Sequence, residues 1–164
     1  MPLNPSSPLA ALMNAPMRPG AVEWIGLRPE RRAPVQTPVS VRLEPGKGAV
    51  GDRWRGSGKG TRQLTLITAE DLVAIAGHLG LEAVPPEALR RNILLRGVNL
   101  RALKDAPFRI GPALVEITGE AHPCSRMEET LGPGGFNAVR GHGGMTARVL
   151  EGGEVRIGDA VMRA

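Results

Sequence analysis

Met145-Thr-Ala-Arg-Val-Leu150, Glu151-Gly-Gly153 and Glu154-Val-Arg-Ile157 make up the stretch on which the fold reading turns. Two short aliphatic segments flank a glycine pair, which is the pattern of two strands joined in a hairpin. Working outward, the same kind of segment recurs at short spacing. Ala21–Leu27 and Pro38–Leu43 alternate apolar and polar residues as half-buried strands do, and Gln63–Ile67, Ile93–Leu95, Phe108–Ile110 and Ala113–Thr118 add four more. One helix is plain. Thr68 and Asp71 form a T-x-x-D start, Leu72, Ile75, Ala76 and Leu79 follow at helical spacing, and Gly80 supplies the stop. Pro85–Arg91 reads as a short second helix, and Pro123 suits the first position of a third. Glycine and proline together supply 37 of the 164 residues, which favours a turn-rich sheet protein over a bundle. Regular βαβ alternation is absent, which argues against a doubly wound sheet. The expected fold is mainly β, a β-barrel core with two or three short helices.

The length suits one domain. Residues 1–20, with prolines at 2, 5, 8, 16 and 19 and no apolar periodicity, read as a weakly ordered tail, and residues 21–164 as the domain. There is no apolar stretch of the ~18 residues a membrane span needs. Aromatic residues are limited to Trp24, Trp54, Phe108 and Phe136, so the core must be built from Val, Leu, Ile, Ala and Met.

The net charge is +5, and its placement matters more than its size. Between Arg28 and Arg62 nine basic residues face three acidic ones, so this window holds more than the whole excess. Such a cluster draws anions. Single-strand nucleic-acid binders interleave basic residues with stacking aromatics, and Trp54 alone is available here, so a small phosphorylated ligand is the better expectation. Gly56-Ser-Gly-Lys-Gly-Thr61 fails as a phosphate loop, because Lys59 precedes Gly60 rather than Ser or Thr; it reads as a flexible basic loop.

Cys124 is the single cysteine, set in His122-Pro-Cys-Ser-Arg-Met127. An intramolecular disulfide is therefore impossible, and an unpaired thiol without an export signal fits a reducing cytoplasm. Two readings stand for the thiol. It is a small buried hydrophobe, or a thiolate favoured by a helix start, His122 and Arg126. A hydrolase assembled from Cys124, His142 and Asn92 or Asn137 has no supporting signature, and His122, Cys124 and His142 fall short of a zinc set.

Taken in order, Gly51-Asp-Arg53, Gln63–Ile67 with Glu70, Arg90-Arg-Asn-Ile-Leu-Leu95, Ile110-Gly111, the His122–Met127 run, and Gly143-Gly144 through Ala147-Arg-Val149 to Val155–Asp159 resemble a MOSC domain. This is the domain named for the C-terminal part of molybdenum-cofactor sulfurases, and the resemblance covers residues 21–164. It implies a β-barrel and a functional Cys124, either ligating molybdenum or carrying a persulfide. It further implies the molybdenum cofactor as ligand, with its pterin phosphate held by basic and glycine-rich segments. The residues this places at the cofactor are Asp52, Arg53, Arg91, Asn92, His122, Arg126, Gly143 and Gly144, with Arg90 beside them and Asn92 bonded to a pterin edge. Two positions depart from the family pattern: Ala121 stands where many relatives carry a second cysteine, and Trp54 where many carry histidine. As in some stand-alone relatives, the implied activity is reduction of N-hydroxylated compounds, with electrons from a separate reductase. The alternative is a sulfur carrier for metal–sulfur cofactor assembly, served by a separate sulfur donor.

Overall fold

Leu64-Thr-Leu-Ile-Thr68 is buried along its whole length, and the reason sets the architecture. Leu64 and Leu66 point into one hydrophobic cluster, the inside of a barrel, while Ile67 belongs to a second cluster under the helices. A strand covered on both faces needs apolar residues at consecutive positions, which this one has. In the computed structural model, which describes residues 3–54 and 60–164, the elements follow in this order. Helix α1 (Pro8–Met13) precedes strands β1 (Gly20–Ile25), β2 (Ser40–Glu44), β3 (Gly48–Ala49) and β4 (Leu64–Thr68). Helix α2 (Ala69–Leu79) leads to β5 (Ile93–Arg96), β6 (Phe108–Ile110) and β7 (Ala113–Glu120). Helices α3 (Ser125–Leu131) and α4 (Gly135–Val139) come before β8 (Met145–Glu151), β9 (Gly153–Arg156) and β10 (Ala160–Arg163).

Seven strands close a barrel in the order β1-β10-β6-β7-β8-β4-β5. All described neighbours in it are antiparallel except β4 and β5, which run parallel because α2 carries the chain back between them. A smaller sheet, β3-β2-β9, packs at its side, with Val41, Leu43 and Val155 in the barrel's cluster. Phe108 is the one aromatic residue of that cluster; the rest is aliphatic, alanine and methionine. Thr68 caps α2 by accepting from the Asp71 N–H, and Gly80 ends it in the left-handed conformation. The mainly β barrel is as expected. The described residues hold four α-helices rather than two or three, and none is long and apolar enough to cross a membrane.

Three details differ from the sequence reading. First, β8 and β9 do not pair with each other. Glu151 opposes Leu114 in the barrel, whereas Gly153 opposes Leu43 in the side sheet. Gly152 is the crossing point. A Cβ there would lie 2.7 Å from the Leu43 carbonyl oxygen, and one on Gly153 would lie 2.7 Å from Pro112. The glycine pair permits a close passage between sheets and makes no turn. Second, Pro86–Leu89 is a single 3-10 turn, ended by Arg90 at φ 55°, and α3 begins after Pro123, with Cys124 at the N-cap. Third, part of the amino-terminal stretch is docked. Ser7 caps α1, Ala10 is buried, Met17 packs on the barrel, and the Arg163 guanidinium donates to the Met13 carbonyl at 2.7 Å. One alanine and one methionine make no periodic stripe, so this docking leaves little trace in the sequence. The basic loop at 56–61 lies mostly outside the described residues.

Candidate functional site

Arg90, in the left-handed conformation, turns the chain into β5 and delivers Arg91 and Asn92 beneath the surface. Asn92 is fully buried with its hydrogen-bonding capacity spent. Its Nδ2 donates to the Gly26 carbonyl at 3.1 Å and to Asp52 Oδ1 at 3.2 Å, and its Oδ1 accepts from the Thr65 N–H at 3.0 Å and hydroxyl at 3.1 Å. The side chain expected at a pterin edge is an internal brace.

Asp52 is a second brace. It is buried and accepts from the Arg28 N–H at 2.7 Å, from Arg28 Nε at 3.1 Å and from Arg28 Nη2 at 2.8 Å. Burial alone would raise its pKa. The hydrogen bonds and charge of Arg28, with the Trp54 N–H, outweigh burial and hold the carboxyl below its ordinary value. A carboxylate with a depressed folded pKa contributes stability that is complete above its unfolded value of ~3.9 and fades as pH falls through the folded value. Asp52→Asn is therefore expected to cost about 2 kcal/mol at neutral pH, the scale of a charged hydrogen bond, and progressively less as pH falls from ~3.9 through the folded value. Urea unfolding of both proteins at neutral and at low pH checks this, and an unchanged gap at low pH would remove the ion pair as its source.

Fixed by Asp52, Arg28 joins Arg53, Arg62, Trp54 and Thr65 around a cavity of about 250 Å³. Arg28 and Arg62 lie outside the segments quoted for the family resemblance; their place in the basic window was the available signal. Arg53 is exposed, and its backbone N–H donates to the Arg28 carbonyl at 2.7 Å. Arg90 donates to the Ala33 carbonyl, and its pKa is lowered by burial and by the charges of Arg126, Arg28 and Arg53. Arg91 is pushed down to about 10, by burial first and then by Arg28 and Arg62, while Cys124 opposes the shift. The hydrogen bonds give the same neighbourhood: Asn92 bonds Asp52, which holds Arg28, and the adjacent Arg91 bonds the Ala121 carbonyl, three residues before Cys124. Among the described residues a bidentate carboxylate answers only Arg28 within this group of arginines, leaving a field suited to an anion.

Arg91 reaches across β4. Its Nε donates to the Gly143 carbonyl at 2.8 Å and its Nη2 to the Ala121 carbonyl at 3.2 Å. One buried side chain thus ties the segment leading to Cys124 to the turn before β8. Gly143 and Gly144 are needed there for packing. A Cβ on Gly143 would lie 2.3 Å from the Ala121 oxygen, and one on Gly144, at φ 86°, 1.9 Å from the Leu66 oxygen.

Cys124 is exposed at the N-cap of α3, with no side-chain capping bond. That removes the buried-hydrophobe reading. Arg126 is half-buried in the next turn. His122 is exposed and turns to Glu120, with Nδ1 3.8 Å from Oε2. His142 bonds Asp71 and Asn137 bonds Arg140, so neither assembles a triad with the thiol.

The sequence pattern of the MOSC domain matches residues 46–162. Among solved structures, the YUAD protein from Bacillus subtilis superposes with a TM-score of 0.76 at 21% identity, over 88% of this chain and 94% of that one. YiiM from Geobacillus stearothermophilus gives 0.66 at 18% identity, over 89% and 75% of the two chains. YiiM from Escherichia coli gives 0.62 at 16%, over 88% and 69%. At these identities the likeness establishes the fold alone. No curated protein sequence matches the chain.

Proposed function

The chain belongs to the MOSC domain family, whose members bind the molybdenum cofactor, and on that premise we propose that it holds this cofactor and reduces N-hydroxylated compounds. The observation that carries the reading is an exposed single thiol linked to an arginine-lined cavity through Arg91, which bonds Ala121 just before Cys124, and Asn92, which bonds the Asp52 that holds Arg28. The residues fit such a group at two points. A thiolate is a soft ligand suited to a polarizable metal, and guanidinium forks suit phosphate. Cys124 would ligate molybdenum, and Arg28, Arg53 and Arg62 would hold the pterin phosphate. Asp52 and Asn92 would fix the loop that carries Arg28 and Arg53, and Arg91 the approach to Cys124. When bound, the cofactor supplies two-electron reduction. Two electrons and two protons convert an N–OH group into N–H and water, and the electrons would come from a separate reductase. An exposed thiol equally suits a persulfide carrier, so the test must separate the two.

The protein should be purified without oxygen from a host that makes the cofactor. Molybdenum and organic phosphate in equal amounts, with turnover of a hydroxylamine when a reductase is supplied, are the expected result. Protein free of molybdenum but heavier by one thiol-bound sulfur atom would replace the reductase with the carrier.

A further inference from the structure

A cavity of about 480 Å³ opens where α2 begins, and it shares no lining residue with the arginine-lined one. It lies between the start of α2, the chain leaving β5, and the turn before β8. Its size falls within the roughly 300–1,000 Å³ of small-molecule sites. Val98, Leu100 and Met145, all buried, contribute its apolar wall.

The polar lining is made mostly of acceptors. Asp71 Oδ2 accepts from the Thr68 hydroxyl at 2.9 Å, and its Oδ1 lies 3.1 Å from His142 Nδ1. In the tautomer whose Nδ1 donates to Asp71, Nε2 of His142 is an acceptor. Glu70 uses Oε1 for the Gly97 N–H at 2.8 Å, and its other oxygen has acceptor capacity of its own. Asn99 spends its carbonyl on the Arg101 N–H.

The charges are unbalanced in the same direction. Arg101 is the lining cation, and its guanidinium is taken by Glu120 at 2.7 Å. Glu70 and Asp71 remain, with Glu70 sharing part of the charge of Arg96, whose guanidinium is held by Glu23 at 2.6 Å. The N-terminus of α2 offsets only about half a unit of their charge. In a chain of net charge +5, a cavity lined this way selects against the anions that the arginine face attracts.

We propose that this cavity is a second binding site, for a small organic cation with an apolar body, an amidine or a primary amine. The cationic N–H groups would meet Glu70, Asp71 and the acceptor nitrogen of His142, and the body would lie on Val98, Leu100 and Met145. The inference does not rest on the cofactor reading and is tested on protein without cofactor, so either can fail alone.

The probe is benzamidine, with benzamide as its neutral counterpart of nearly equal shape, titrated into isotope-labelled protein at neutral pH. Saturable amide shifts centred on Gly97, Asn99, Gly141 and His142 are expected with benzamidine, and at least tenfold weaker binding of benzamide. Glu70→Gln and His142→Gln should each weaken benzamidine about tenfold, the effect of losing one charged hydrogen bond. Asp71 also holds the capping hydroxyl of Thr68, so these two variants carry the test without disturbing the cap. Equal binding of benzamide, shifts centred elsewhere, or no shift at millimolar benzamidine would overturn the proposal.

Discussion

Cys124→Ser is expected to fold as the parent does, yet to lose molybdenum retention and reduction of N-hydroxylated substrates by more than about 100-fold. The first half follows from position. Cys124 is exposed, sits in extended backbone at the N-cap, and makes no side-chain capping bond, so serine displaces nothing. Serine is also a preferred N-cap residue, so stability should stay within ~0.5 kcal/mol or rise slightly. The second half follows from ligand chemistry. An alcohol is harder and far less acidic than a thiol, and so a poor ligand for a polarizable metal. Removing an outer-shell partner already costs ~10–100-fold in metal affinity, and a direct ligand should cost more. Metal content, turnover and melting temperature are measured together. A variant with full metal and activity would show that the thiol is not a ligand. Under the carrier alternative, the variant never gains the extra sulfur and molybdenum is absent from parent and variant alike.

Local order was easy to read where one short segment contained its own explanation. Leu64–Thr68 followed by a Thr68 cap, an i, i+3, i+4 stripe and Gly80 needs no distant partner to be recognised, and β4 and α2 follow it closely. The glycines at 152 and 153 were harder, because a turn and a close crossing use the same residue. Only the partners, Leu43 and Pro112, separate the two, and they lie far away in sequence. The site shows the same division. The sequence leaves Cys124 either buried or reactive, and the fold decides for exposure; the anion-attracting character of the 28–62 window rests on local chemistry. The division of labour among the polar residues does not. Asp52, Asn92 and Arg91 look like ligand contacts in a motif, yet each spends its hydrogen bonds on another segment, across sequence separations of 24 to 66 residues. Arg28 emerges as a cavity residue only because Asp52 holds it there.

Arg91 is where that division has its largest consequence for stability. Replacing it by alanine is expected to cost about 3 kcal/mol, because two carbonyl oxygens, on Gly143 and Ala121, lose a charged donor at once and each is worth ~1.5–3 kcal/mol. Relief of the repulsion from Arg28 and Arg62 returns part of this, which keeps the figure near the lower end of the sum. Lysine tests the geometry. It keeps the charge but carries a single ammonium in place of the planar fork, so it should hold one carbonyl and recover only part of the loss. The consequence for the site follows from which segments are released. Ala121 lies three residues before Cys124, so both variants should loosen the thiol's approach and lower cofactor retention in parallel with stability. Amide exchange settles the order of cause, since a positioning role predicts faster exchange at the Ala121 amide, which bonds the Gly144 carbonyl, even in protein without cofactor. If stability and exchange are unchanged while cofactor retention falls, Arg91 touches the ligand directly, and the brace assigned to it is wrong.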